Sequence, residues 1–114
     1  MIATQTGLFD VAAALATVVN IRETNSWQRS LFFENKSSGT LAIQIETSAD
    51  GGTTWSLVGT AFSLTTGSRV TKEVSTSYLN QLRIRASGGG DDRDLSITYA
   101  RMFGDGDTWT NPTL

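Results

Sequence analysis

The chain has 114 residues, a net charge of −2 and no basic block, which is the size of one domain and lacks the clustered positive footprint that nucleic-acid binding requires. It contains no cysteine and no histidine, which excludes disulfides and thiolate metal sites and removes the commonest zinc ligand and the commonest general base. Ser and Thr number 12 and 17 against only two lysines, Lys36 and Lys72, a bias toward strands and turns and away from long surface helices.

Residues 1–10 leave an extended arm open as a reading. Val11 to Val19 is apolar, but no Lys or Arg precedes it and Asp10 sits where the positive region of an export signal belongs. The same run is too short to span a bilayer. The expectation is a protein folded in the cytoplasm of the cell that makes it, reaching any later destination by assembly. In Ala12–Ile21 the alanines permit a helix, but Thr17-Val18-Val19-Asn20-Ile21 is rich in β-branched residues and predicts a strand.

Trp27–Glu34 predicts another strand, with Phe32 and Phe33 placing an aromatic on each face, so that one of them belongs at a subunit contact or under a loop. After the turn at Asn35–Gly39, Leu41, Ile43 and Ile45 alternate with Ala42, Gln44 and Glu46. Val70 and Val74 flank Lys72 in a weaker strand that fits a sheet edge, where an inward lysine discourages unwanted pairing. Leu82, Ile84 and Ala86 alternate with Gln81, Arg83 and Arg85. Leu95, Ile97, Tyr99 and Phe103 share a face interrupted by Arg101. Each pattern describes a strand with one face buried and one wet.

Short strands separated by frequent Gly- and Asp-rich turns predict an all-β fold, a single antiparallel β-sandwich of jelly-roll-like type with extended terminal segments. The sandwich domain covers 1–103. Residues 104–114 form a C-terminal tail in which Trp109 is the one large aromatic. Packing of Trp109 on its own sheet and anchoring on a partner are both open.

Ser48-Ala49-Asp50-Gly51-Gly52-Thr53-Thr54-Trp55 fits the pattern Ser-x-Asp-x-Gly-x-Thr-Trp and resembles the Asp-box of sialidases and related β-propellers. Asp50 is suited to cap turn amides, the glycines supply positive φ, and Trp55 folds back as an apolar plug. In that family the box is structural and recurs once per blade, whereas this chain has one copy. The expected structural hairpin is therefore built by Ser48, Asp50, Gly52, Thr54 and Trp55, without glycosidase chemistry.

The acids Asp91, Asp92 and Asp94 lack the ligand spacing of a calcium loop, and Gly88-Gly89-Gly90 lacks the Lys-Ser/Thr of a phosphate loop. No nucleophile–base constellation is visible. Neither a cofactor nor a metal is expected, and no enzymatic activity.

The stretch Leu41 to Val58, followed by Leu82–Gly88 and Leu95–Tyr99, resembles small β-sandwich proteins of tailed-phage virions, among them the decoration or cement proteins. That resemblance implies a homo-oligomer, a trimer or dimer, that binds the major capsid protein on the capsid exterior and stabilises the lattice, with no nucleic-acid or membrane partner. Candidate contact residues are Trp109, Arg83, Arg85 and Arg101, arginine being suited to bidentate pairing with an acidic surface. The competing reading of the arginines is a solvated sheet face salt-bridged to Glu46 or Glu73. Two alternative functions share the fold: a carbohydrate-binding module, using at least two of Trp27, Trp55, Trp109 and Tyr78 as one platform, and a phage tail or baseplate component.

Overall fold

The computed structural model describes residues 2–21, 28–74, 81–90 and 93–102, and among these every regular element is a β-strand. In chain order they are β1 (Ile2–Phe9), β2 (Ala16–Ile21), β3 (Gln28–Asn35), β4 (Leu41–Ser48), β5 (Ser56–Leu57), β6 (Phe62–Leu64), β7 (Arg69–Val74), β8 (Gln81–Ser87) and β9 (Leu95–Met102). They form two antiparallel sheets, one ordered β1-β9-β3-β7 and the other β2-β8-β4-β5, with β6 also paired to β4. Most links between successive strands cross from one sheet to the other, which is the connectivity of a jelly roll.

Alternation explains the core. Leu41, Ile43 and Ile45 of β4 and Leu82, Ile84 and Ala86 of β8 face Leu31 and Phe33 of β3 and Leu95, Ile97 and Tyr99 of β9, all buried. Of the two adjacent phenylalanines, Phe33 is buried and meets Phe62 edge-on at 5.6 Å, while Phe32 is 43% exposed. The β-branched half of Ala12–Ile21 is strand β2, and a bulge between Thr17 and Val19 lets Val18 and Val19 both turn inward.

Three placements differ from expectation or refine it. Residues 2–9 are not an arm, because β1 lies along β9 from Ile2↔Met102 to Phe9↔Leu95 and forms an edge of the four-stranded sheet. Its apolar residues fall on both faces, so no period-two signal marks it as a strand. Strand β7 is the opposite edge, with Lys72 half-buried and its ammonium 4.5 Å from the centroid of Phe62. Position 101 lies on β9, which pairs with β1 and β3 and not with β8, so Arg101 shares neither a sheet nor a face with Arg83 and Arg85. The expected tail 104–114, Phe103, Trp27, Tyr78 and the Asp91-Asp92 pair lie outside the described residues.

One end of the sandwich is tied by polar caps, at Asn35 and at Asp94, which the Asn35↔Leu95 register places side by side. Asn35 donates through Nδ2 to the carbonyls of Leu64 (2.7 Å) and Gly39 (2.8 Å) and accepts from Ser37, joining the β3–β4 connection to the end of β6 from a fully buried position. Asp94 accepts from the Gly90 amide at 2.8 Å, and Gly89 donates to Ala12 O.

Candidate interaction surface

Strand β4 runs into the turn that leads to β5, and that turn is organised by Ser48 and Asp50. The Ser48 hydroxyl donates to Asp50 Oδ1 at 2.7 Å and accepts from the Gly52 amide at 2.8 Å. Asp50 Oδ1 also accepts from the amides of Thr53 (3.1 Å) and Thr54 (2.9 Å), and Oδ2 accepts from the Thr54 hydroxyl at 2.6 Å. These donors, the Thr54 hydroxyl first, then the Thr54 amide and the Ser48 hydroxyl, hold the Asp50 carboxyl well below the usual carboxylate range. Gly51 and Gly52 take φ of 77° and 99°, which an L side chain resists.

The turn delivers Trp55 onto the outer face of the five-stranded sheet. Its Nε1 donates to the Gly52 carbonyl at 3.1 Å, and the Arg83 guanidinium carbon stands 4.2 Å from the ring centroid. Arg83 is directly opposite Glu46 across the β4–β8 ladder and pairs with it through Nε, while Gln44 Nε2 donates to the other Glu46 oxygen at 2.6 Å. Glu46 is thereby buried with both oxygens satisfied. Of the two acids weighed for the arginines, Glu46 fills the role. Glu73 lies on the other sheet, where it accepts from Ser30.

Arg85 is different. It lies one register step from Arg83, between Thr17 and Gln44, and makes no hydrogen bond or ion pair among the described residues. Its Nε is covered and has no partner. Leu57, opposite Glu46 on β5, is half exposed beside this row. The surface thus combines a cation without a counter-charge and an apolar side chain on rigid sheet backbone, a chemistry suited to holding a carboxylate.

The structure brings together Arg83, Arg85 and the Ser48–Trp55 turn on one face, and separates Arg101 from them. The side chain of Arg101 and all of Trp109 lie outside the described residues. The Arg83–Trp55 stack and the exposure of Leu57 were not read from the sequence. The first joins residues from a turn and a distant strand, and the second follows from the two-residue length of β5. One face of Trp55 is taken by Arg83, which leaves one face of the ring for any stacking partner. Among the described residues no three His, Cys, Asp or Glu side chains cluster as metal ligands, and no helix is long and apolar enough to cross a membrane.

No family model matches the chain, and no curated protein is similar to it in sequence. Similarity appears among solved structures. A structure from work on Bacillus endospore appendages, described as disulfide-linked pili, aligns with a TM-score of 0.57 at 15% identity, over 91% of this chain and 88% of the other. Murine APRIL aligns with a TM-score of 0.56 at 5% identity, over 90% and 100%. PirA aligns with a TM-score of 0.53 at 15% identity, over 88% and 91%. At these identities the likeness is one of fold, and the chain is an all-β sandwich of jelly-roll type.

Proposed function

We propose that this chain is a non-catalytic structural protein of a tailed-phage virion, a decoration protein that seats on the major capsid lattice by the outer face of the β2-β8-β4-β5 sheet. The observation that carries the reading is Arg85, whose guanidinium Nε is covered and has no hydrogen-bond partner among the described residues. Leaving such a group unsatisfied costs about 1–3 kcal/mol, which a carboxylate on a second protein would recover through a charge-assisted bidentate pair. Arg83 is already neutralised by Glu46 and steadies the face. Leu57 supplies the adjoining apolar contact. The choice of a capsid lattice as partner rests on the sequence resemblance to virion β-sandwich proteins.

The test is co-sedimentation of the purified protein with capsids of its own phage that have been stripped of accessory proteins. Binding is expected to saturate at a fixed ratio to capsid subunits. Arg85→Ala is expected to weaken it by about ten-fold or more. Failure of the unaltered protein to bind, or its absence from purified virions, overturns the reading. Recovery from tails instead of heads replaces it with the baseplate alternative.

A further inference from the structure

The outer face of the other sheet carries a different chemistry. Reading across β1, β9, β3 and β7, the registers align three outward rows: Leu8, Ser96, Glu34 and Arg69; then Thr6, Thr98, Phe32 and Thr71; then Thr4, Ala100, Ser30 and Glu73. The middle row sets an exposed Phe32 among hydroxyls, with Thr6 and Thr98 hydrogen-bonded to each other at 2.9 Å. A depression of about 270 Å³ opens beside Phe32 toward Arg69 and Thr71.

From this pattern we infer that the face binds a second copy of this chain, as a two-fold dimer whose axis lies in the contact plane along the Thr6–Thr98–Phe32–Thr71 row. Rotation about that axis keeps each strand over its own counterpart and reverses the strand direction. A residue two positions before the row therefore meets the residue two positions after it. Arg69 and Glu73 stand at those two positions on β7, flanking Thr71. Each copy's Arg69 then meets the other's Glu73, twice per dimer. The remaining pairings are uncharged except for Glu34, which meets Ser30 of the second copy and keeps Lys36 at 3.8 Å. The face is self-complementary in charge, as an isologous contact must be.

Arg69 is free to change partners. Its contact with Glu34 is 3.5 Å long with the arginine side chain 78% exposed, an arrangement worth little by itself. Two Phe32 rings meeting at the axis avoid a head-on contact by lying offset, each over the depression beside the other. Three strands of eight residues and one of six, about 4.8 Å apart, present roughly 475 Å² per copy, or about 950 Å² in total, at the lower limit of specific interfaces. A dissociation constant in the micromolar range is expected. The inference stands apart from the capsid reading, since it uses the opposite sheet and needs no capsid.

Sedimentation velocity and light scattering of the purified protein test it. The expected result is a reversible dimer of twice the 12.3 kDa chain mass at high concentration. Phe32→Glu, Arg69→Glu and Glu73→Arg are each expected to give a folded monomer, shown by an unchanged circular dichroism spectrum. The double variant Arg69→Glu/Glu73→Arg restores the dimer, because both cross-pairs form again with their signs exchanged. Asn20→Glu, on the outer face of the other sheet, leaves it intact. A wild-type monomer at every concentration overturns the inference. So does a dimer that survives Phe32→Glu, or a double charge exchange that fails to restore association.

Discussion

The guanidinium of Arg83 stands over the indole of Trp55 at 4.2 Å while its Nε is bound to Glu46, so one arginine joins the turn after β4 to the middle of the sheet. The two halves of that contact separate by mutation. Trp55→Ala removes the stacked ring, and Arg83→Ala also leaves the buried Glu46 carboxylate without its cation. Arg83→Ala is expected to cost roughly 2 kcal/mol, less than a fully buried pair because the arginine side chain keeps 22% of its surface in solvent. A double-mutant cycle in urea should return a Trp55–Arg83 coupling of about 0.5–1 kcal/mol. A coupling near zero would show that the stack contributes nothing.

Asp50 makes stability depend on acid. Its folded-state pKa lies below the ordinary 3.8, so the ionised form is favoured by the fold. That contribution is complete above the unfolded value and is lost as pH falls from about 4 through the depressed folded value. Asp50→Ala should lower the melting temperature by several degrees at neutral pH. The gap between the two proteins should narrow below about pH 4. Thermal melts across that range check both statements.

Gly89 has no room for a side chain. A Cβ there would stand 2.1 Å from Val11 O and 2.6 Å from Asp94 Oδ2, whereas at Gly90 it would meet nothing within 4 Å. Gly89→Ala is expected to destabilise by about 2–3 kcal/mol through overpacking at the junction of the β1–β2 and β8–β9 connections. Gly90→Ala should change stability by less than about 0.5 kcal/mol, serving as the matched control. Denaturant midpoints at constant slope distinguish the two.

Lys72 guards an edge. Its half-buried stem and its ammonium over Phe62 place a charge inside the rim of β7. Lys72→Val is expected to fold with similar stability, since valine packs against the same ring, yet to aggregate faster on heating. Turbidity traces that match the wild type would contradict this role.

Arg85 should be dispensable to the fold. Arg85→Met keeps the aliphatic stem and deletes an unsatisfied nitrogen, so stability is expected to hold or rise slightly while capsid binding weakens. A large loss of stability would mean that the arginine serves the fold.

The strands most legible in the sequence are those whose neighbours cover one face only. β4, β8 and the first part of β9 alternate cleanly because Leu41, Leu82 and Leu95 begin runs with a dry side and a wet side. β1 carries no such signal, because Thr4 and Thr6 face out while Gln5, on the inward register, is itself exposed. β5 and β6 are two and three residues long, shorter than any period can reveal. The arginine surface was half legible. Alternation put Arg83 and Arg85 on one face, but only the Glu46↔Arg83 register separates the neutralised cation from the free one. Nothing in the sequence separates Arg101 from them, because consecutive strands commonly neighbour each other in one sheet, a rule that a jelly roll breaks at most of its turns.

That crossing connectivity also governs how the protein comes into being. β9 lies between β1 and β3 in its sheet, pairing Ile2 with Met102 and Asn35 with Leu95. During synthesis, β1 and β3 therefore wait without their shared neighbour until the last described strand has left the ribosome. Closing such distant pairs first demands the entropy of long loops, so refolding is expected on the millisecond-to-second scale of non-local β proteins. Until then the core-facing Leu31 and Phe33 and the open edges of both strands are exposed together, and the nascent chain is at its most vulnerable to chaperone capture in that interval.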